Sequence, residues 1–307
     1  MIVLRSGPVS TQALACLLIC AQDMSDTQRF VNLGRPQRLW TVAAVHGEVE
    51  RLRHAHALIS RDFAFGDRLV YLGNLIGRGD QVRACVDEAL RFRRAILALP
   101  GMIPHDVVFL RGCQEEMWQK LLQIQFAPNP RDVLAWMLDN GVEATVRAYD
   151  GDLEAGQVAA RDGARSLTRW TNRLRDAIRR LPGHDPFFAN LRRAAFTEGS
   201  REAGATGIVD PEVEKTADAV LLVSGGVDVS RPFAGQGDTF WWGGTPFERI
   251  EAPYGPFVRV VRGFDLRRGG VRIQPHALTL DAGCGFGGAL CLACLSGTGD
   301  VLERWEI

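Results

Sequence analysis

Short apolar runs alternate with helical patterns through the first part of the chain. Residues 38–45 (RLWTVAAV), 67–73 (DRLVYLG) and 106–112 (DVVFLRG) are mainly apolar and predict three buried strands. Residues 48–60 and 81–97, which lie between these runs, have apolar positions at helical spacing. Strand-loop-helix units in series predict an α/β sheet whose functional groups lie on loops at the carboxyl ends of the strands.

The pattern changes after residue 126. Residues 127–198 carry amphipathic helical patterns, and we interpret 127–207 as a helical insert or cap, which ends in the predicted loop EGSREAGATG. Closely spaced apolar runs follow and predict further strands at 219–226, 257–264, 271–283 and 289–295. The predicted order is therefore an α/β unit, a helical insert and a mostly β segment.

The residues before the first predicted strand, 1–37, are interpreted as an N-terminal extension of a domain at 38–307. Their apolar stretch ALACLLICA (13–21) is too short to span a bilayer, and one preceding base and no convincing cleavage site argue against a signal peptide. We expect a short helix packed on the domain there.

Charge and cysteine content narrow the class of protein. The 36 lysines and arginines equal the 36 acids, so no overall field favours nucleic acid or an anionic membrane as a partner. The 307 residues and 46% apolar content are typical of a soluble globular protein. Seven unevenly spaced cysteines do not resemble a disulfide framework, so we expect reduced thiols and a cytoplasmic location.

Two local patterns each allow a structural and a functional interpretation. CLAC (291–294) resembles half of a zinc knuckle, but its apolar surroundings favour buried strand cysteines. Arginines recur every four residues on one helical face and could hold a phosphate or an acidic partner. Acids on the same face favour a solvated surface instead. The arginines are Arg161, Arg165, Arg169 and Arg173, and the acids are Asp162 and Asp176.

Six segments near predicted strand ends occur in a recognisable order. In that order they resemble the motifs of the calcineurin-like metallophosphoesterases, specifically the bacterial branch of the Ser/Thr phosphoprotein phosphatases, over about residues 38–298. The resemblance implies a sandwich of two mixed β-sheets flanked by helices. The segments are VHGEVERL (45–52), GDRLVYLGNLIGRG (66–79), FLRGCQEEMW (109–118), LLVSGGVDVSRP (221–232), VVRGFD (260–265) and LTLDAGCGFGG (278–288).

The motifs of that family read GDxHG, GDxxDRG, GNHE, HAG, GH and DTGA. The resemblance implies two divalent metals, such as Mn, Fe or Zn, that share a bridging carboxylate and activate a water for attack on phosphorus. A histidine of GNHE assists the leaving group, and arginines hold the phosphoryl oxygens.

Carrying the motifs onto this chain gives a degenerate site. Only one of the six metal-ligand positions keeps its residue, His46, and the place of the catalytic histidine is taken by Gln114. The other ligand positions hold Ala44, Asn74 (the bridging carboxylate in the family), Cys113, Ser224 and Phe264. An Asn amide does not bridge two cations as a carboxylate does, Ala44 offers no donor atom, and Phe264 replaces an imidazole with carbon.

Other motif positions are kept. The phosphate-binding arginine of the second motif is Arg78, which could bind a phosphate or form a salt bridge with a nearby acid. Glu115, Arg111 and Asp281 also persist, and the resemblance implies that they mainly tie loops to the sheet. Their presence predicts a preserved fold and leaves the reaction open.

The sequence therefore favours a catalytically inactive phosphatase homologue, a pseudophosphatase, with no metal cofactor and no catalytic residue. We expect it to act as a binding or regulatory module for a protein partner or a phosphorylated ligand, with Arg78 and His46 as ligand-binding residues. His46 and Cys113 are expected to lie near each other, as a nucleophile pair, as part of a zinc site, or as a buried thiol beside an imidazole.

Two alternatives remain. One is an active metal-dependent Ser/Thr protein phosphatase or nucleotide phosphoesterase with a rearranged site, which requires substitute carboxylates. The candidates are Asp67, Glu115, Glu116 and Asp228. The other is a structural or oligomeric component, which an exposed patch at Phe240, Trp241 and Trp242 would favour, although core or lid packing is the preferred interpretation of these three residues.

Overall fold

The computed structural model describes residues 30–199 and 218–307. The helix expected at 13–21 and most of the loop predicted at 198–207 lie outside the described residues. Among the described helices, none is long and apolar enough to cross a membrane.

Two mixed sheets form the centre of the described structure. The five-stranded sheet has the order β11-β10-β2-β3-β4, with β2, β3 and β4 parallel, and the six-stranded sheet has the order β1-β5-β6-β7-β9-β8. The strands are β1 (Phe30–Asn32), β2 (Arg38–Val42), β3 (Arg68–Tyr71), β4 (Val107–Phe109), β5 (Ala194–Phe196), β6 (Ala219–Val223), β7 (Phe257–Arg262), β8 (Arg272–Ile273), β9 (Ala277–Thr279), β10 (Cys291–Ser296) and β11 (Val301–Glu306). The predicted fold class, a sandwich of two mixed sheets flanked by helices, is confirmed.

Helices connect β2 to β3 and β3 to β4, and further helices lie in the chain segment between β4 and β5. They are α1 (Val49–Asp62), α2 (Val82–Leu97), α3 (Cys113–Leu121), α4 (Pro130–Met137), α5 (Glu143–Ala148), α6 (Leu153–Asp162), α7 (Ala164–Arg180), α8 (His184–Ala189) and α9 (Thr239–Trp242). Helices α4 to α8 supply the helical character that the sequence predicts for the insert.

Alternation along the strands explains the layers. In β3, Leu69 and Tyr71 pack against the helices, whereas Val70 and the following Leu72 join an apolar core shared by the two sheets. Successive side chains of a strand point to opposite faces, so a strand buried on both faces needs a continuous apolar run. The loops of the candidate site therefore follow directly after β2, β3 and β6, whose carboxyl ends are fully buried.

Several boundaries differ from the sequence prediction. The run 271–283 is two antiparallel strands, β8 and β9, because Pro275 lies in the turn between them. Strand β1 pairs in parallel with β5, so the six-stranded sheet begins before residue 38.

The helical insert also differs in detail. The pattern at 130–149 is broken at Gly141, which has a φ of 104° and separates α4 from α5. The four periodic arginines do not share one helix, because Arg161 belongs to α6 and Gly163 separates it from the other three on α7. All four are exposed, in agreement with a solvated face.

Candidate functional site

The loops after β2 and β3 are joined by their backbones. Asn74 accepts hydrogen bonds at its carbonyl oxygen from the N–H groups of Val45 (3.0 Å) and His46 (2.8 Å). Both His46 and Asn74 have positive φ angles, 52° and 54°. These two residues therefore meet at the carboxyl edge of the parallel strands, where the sequence places the first two motifs.

The His46 side chain is enclosed by aromatic rings. It is fully buried, and its ring lies edge-on to Phe264 (centroids 5.3 Å apart) and to Phe286 (5.6 Å). Within residues 30–199 and 218–307, neither of its ring nitrogens has a hydrogen-bond partner. Burial lowers the pKa of His46 to about 3, and the positive charge of Arg78 adds to this effect, so the imidazole is neutral near pH 7.

Asn74 organises the start of α3. Its side-chain oxygen accepts hydrogen bonds from the Gln114 backbone N–H (2.9 Å) and the Cys113 thiol (3.3 Å), while its side-chain nitrogen has no partner among the described residues. Burial raises the pKa of the Cys113 thiol to about 12. His46 and Cys113 thus both contact Asn74, and the thiol is protonated, as expected for a buried thiol and not for an activated nucleophile.

The remaining motif positions form part of an apolar core. Ala44, Cys113 and Phe264 belong to one buried cluster together with residues of β6 and β7. Ser224 is fully buried, and its hydroxyl has no hydrogen-bond partner in the described part of the chain. Carbon atoms and neutral polar groups therefore occupy the place where the resemblance implies charged metal ligands.

Arg78 connects the second motif to the helical insert. Its backbone N–H donates to the Gly141 carbonyl (3.0 Å), and its guanidinium donates to the Asn140 carbonyl (3.3 Å), which also accepts from the Gln114 side chain (2.8 Å). A Cβ atom at Gly141 would lie 2.7 Å from Arg78 Cγ, so the break between α4 and α5 requires glycine here. The insert therefore lies against the site.

The charge of Arg78 is not neutralised by a neighbouring acid. Within the described part of the chain no carboxylate forms an ion pair with it, and its Nε atom is buried without a partner. Burial lowers the pKa of the Arg78 guanidinium, and Arg268 lowers it further. The salt bridge that the sequence allowed is absent from the described residues.

A cavity of about 870 Å³ opens at Arg78 between α1, α2 and the insert. Its charged lining residues are Glu50, Arg53, Arg78, Asp80, Arg83, Asp139, Glu143 and Arg147. Arg53 pairs with Glu50 and Arg147 with Glu143, so Arg78 is the partly buried cation of this lining that lacks an acid. His46 is not among the lining residues.

Two solved structures are similar to this chain over most of its length. One, assigned as a diadenosine tetraphosphatase, is 18% identical with a TM-score of 0.52 and covers 91% of this chain and 97% of its own. The other is a protein serine/threonine phosphatase from Saccharomyces cerevisiae with similarity to human phosphatase PP5, 12% identical with a TM-score of 0.50, covering 96% and 87%. The chain has the calcineurin-like metallophosphoesterase fold.

At these identities the likeness shows the fold alone. No protein-family model matches the chain, and no curated protein matches its sequence. What the site can do must therefore be argued from its own residues.

The residues of this metallophosphoesterase fold do not fit a two-metal centre. Among the residues that the structure describes, no three His, Cys, Asp or Glu side chains are grouped so that they could hold one ion. Two divalent ions bring four positive charges, which need carboxylates close by, and the inner positions supply Ala44, Asn74 and Phe264 instead.

The carboxylates that could substitute for the lost ligands are committed elsewhere. Asp67 is ion-paired with Arg38 (2.7 Å), Glu116 with Arg111 (3.1 Å), and Asp228 with Arg231 (3.1 Å). The fourth candidate, Glu115, accepts hydrogen bonds from the backbone N–H groups of Asn74, Ile76 and Gly112 at 2.8 to 3.2 Å.

These contacts agree with the loop-tying roles that the resemblance implies. Glu115 links the second and third motif loops. Arg111 pairs with Glu116 within the third motif itself. Asp281 accepts hydrogen bonds from the backbone of Asp265 (2.9 Å) and Gly283 (2.8 Å), which joins the last two motifs.

Two further interpretations from the sequence agree with the structure. Cys291 and Cys294 are buried, free cysteines of β10. Phe240 and Trp241 are buried, and only Trp242 is partly exposed, beside Trp136. The FWW segment is thus packed in the core, and these three residues form no large exposed aromatic patch.

The sequence prediction missed four residues of the site. Asn140 and Gly141 lie in the insert, outside the motifs. Phe286 and Arg268 lie beside the last two motifs, and Phe286 belongs to the Gly-rich segment CGFGG, whose glycines were the available signal. Their contacts with Arg78 depend on how the loops fold back onto each other.

Proposed function

We propose that this chain is a catalytically inactive phosphatase homologue that binds a phosphate-bearing small molecule or a phosphorylated protein without metal. The observation that carries the proposal is the environment of Arg78. Its guanidinium lies at a large cavity and has no carboxylate partner among the described residues. Next to it is the inner cluster of His46, Asn74, Ser224 and Phe264, and no three described His, Cys, Asp or Glu side chains are grouped there to hold an ion. A guanidinium group matches the geometry of phosphate oxygens and needs no metal to bind them.

The packing of the fold and of its buried loops supports a binding protein and argues against a chain that has lost all function. Glu115 and Asp281 accept backbone hydrogen bonds from their neighbouring loops, and Ala44, Cys113 and Phe264 are packed in one buried cluster. Since the two similar structures described above carry phosphatase names, a phosphate group is the ligand class for which this cleft is proposed. The rearranged active enzyme has no support from the four candidate carboxylates, which all have other partners.

The test is phosphate binding in the presence of a chelator. Equilibrium dialysis with inorganic phosphate should show saturable binding by the wild type and at least tenfold weaker binding by Arg78→Leu, because the variant loses a charge-assisted hydrogen-bond donor. Arg161→Leu removes an exposed arginine of α6 and should leave the affinity unchanged. Equal affinity of wild type and Arg78→Leu would refute the proposal.

Two additional measurements complete the test. Displacement of bound phosphate by a phosphoserine peptide or by a mononucleotide identifies the source of the phosphate group. Hydrolysis of p-nitrophenyl phosphate, assayed with and without added manganese, should not exceed the rate without protein. Metal-stimulated turnover that disappears in Arg78→Leu would establish an enzyme instead.

A further inference from the structure

The ring of Phe286 lies against two arginines that come from different loops. The guanidinium carbon of Arg78 is 4.0 Å from the ring centroid, and that of Arg268 is 4.9 Å from it. Both distances are within the range of cation–π contacts. One aromatic side chain therefore brings two like charges close together.

The two guanidinium groups carry like charges and repel each other. Burial lowers the pKa of Arg78, and the positive charge of Arg268 lowers it further. Two acids of this region pair with other arginines, Asp265 with Arg262 (3.1 Å) and Glu248 with Arg267 (2.9 Å). In the described ranges, neither Arg78 nor Arg268 has a carboxylate partner.

The position of the ring matches the position of a phosphate. A phosphate held by charge-assisted N–H···O bonds places its phosphorus roughly 4 Å from each guanidinium carbon. The centroid of Phe286 lies at this distance from the guanidinium carbon of Arg78 (4.0 Å) and within 1 Å of it from that of Arg268 (4.9 Å). The ring thus fills the volume in which a single anion would contact both arginines.

We propose that Arg78 and Arg268 form a two-arginine phosphate site, and that Phe286 occupies this site in the free protein and is displaced when phosphate binds. This inference rests on the proposed function. It adds Arg268 as a second phosphate-binding residue and Phe286 as a side chain that competes with phosphate for the site. The energy of the displaced cation–π contacts opposes binding, so the measured affinity is lower than that of the open site.

The loop that carries Phe286 is compatible with this exchange. Gly285 has a φ of 78°, and a Cβ atom there would lie 2.4 Å from His46 Cβ, so glycine is required for the loop to approach the site. The Phe286 side chain is only partly buried, unlike the fully buried His46. The ring can therefore leave the two guanidinium groups without opening the sheet sandwich.

The test compares phosphate affinities of matched variants in chelator. Phe286→Ala and Phe286→Leu both remove the aromatic face, and each should bind inorganic phosphate roughly tenfold more tightly than the wild type. Arg268→Leu should bind roughly tenfold more weakly. Phe126→Ala, at an exposed phenylalanine, and Arg267→Leu, at the neighbouring arginine paired with Glu248, should keep the wild-type affinity.

The outcomes separate this inference from the proposed function. Unchanged or weaker binding by both Phe286 variants, with binding still dependent on Arg78, overturns the displacement and leaves the phosphate-binding role intact. Wild-type affinity in Arg268→Leu overturns the two-arginine site. Absence of Arg78-dependent binding in the wild type and in both Phe286 variants overturns the proposed function as well.

Discussion

Phe264 holds its ring edge-on to the imidazole of His46, with the two centroids 5.3 Å apart. The sequence resemblance implies two imidazoles around metal ions at these positions, and the structure has an aromatic contact between neutral side chains. Edge-to-face packing of this kind stabilises the buried ring of His46, although neither ring nitrogen has a hydrogen-bond partner among the described residues. The contact places an aromatic ring where the resemblance implies a second imidazole.

The first prediction concerns the pH dependence of stability. Burial holds the pKa of His46 at about 3 in the folded chain, below the value near 6.5 expected in the unfolded chain. Below pH 6.5 only the unfolded state takes up this proton, so stability falls as the pH is lowered towards 3. His46→Leu should remove this contribution, which amounts to at most about 1.4 kcal/mol for each pH unit.

Urea unfolding of wild type and His46→Leu at pH 7, 6, 5 and 4 measures this effect. The stability difference between the two proteins should shift in favour of the variant as the pH falls. His54→Leu, at an exposed histidine of α1, should follow the wild-type pH dependence. Parallel curves for wild type and His46→Leu would mean that His46 is not held neutral.

The second prediction is that Asn74→Asp, which restores the carboxylate of the family motif, destabilises the folded protein. Asn74→Asp introduces a carboxylate into a fully buried position that is linked by hydrogen bonds to Cys113 and Gln114 and lies beside Glu115, whose own pKa burial raises. An uncompensated buried charge should lower the free energy of unfolding by about 3 kcal/mol at pH 7.

Denaturant unfolding with and without added manganese checks this prediction. Manganese should not recover the lost stability, because Ala44 and Phe264 still provide no ligand. Asn172→Asp is the control, since its side chain is exposed and accepts a hydrogen bond from Arg175. A variant Asn74→Asp that is as stable as the wild type, or is rescued by manganese, contradicts the account.

The third prediction tests Glu115 as a structural tie. Glu115→Ala leaves the N–H groups of Asn74, Ile76 and Gly112 without an acceptor, at a cost of about 3 to 5 kcal/mol in the free energy of unfolding. Glu115→Gln keeps one acceptor oxygen and should cost less. Glu143→Ala, which breaks an exposed pair with Arg147, should change stability by less than about 1 kcal/mol. Similar small losses in all three variants would exclude the proposed tie.

The fold could be predicted because its strands have strong local signals. Strands β3 and β6 are buried on both faces and therefore read as continuous apolar runs that end at motif residues. Strands β1 and β5 contain three residues each, too few for a periodic pattern, and they are paired only through tertiary contacts.

The site could be predicted in part for the same reason. The order of the motifs placed His46, Asn74 and Cys113 together, and the structure brings them together through the Asn74 backbone and side chain. The contact of Arg78 with Phe286 and Asn140 could not be predicted, because it depends on the break at Gly141 and on the turn around Phe286. The glycines that such turns require are visible in the sequence, but the sequence does not show which side chains the turns bring together.

We expect that this chain binds no two-metal centre at the candidate site. The direct measurement is elemental mass spectrometry of protein purified without chelator and dialysed against manganese and zinc, with bound ions counted per chain. The inner cluster of His46, Asn74, Ser224 and Phe264 predicts a stoichiometry near zero that is the same in His46→Leu. Close to two ions per chain in the wild type, lost in His46→Leu, would contradict the account.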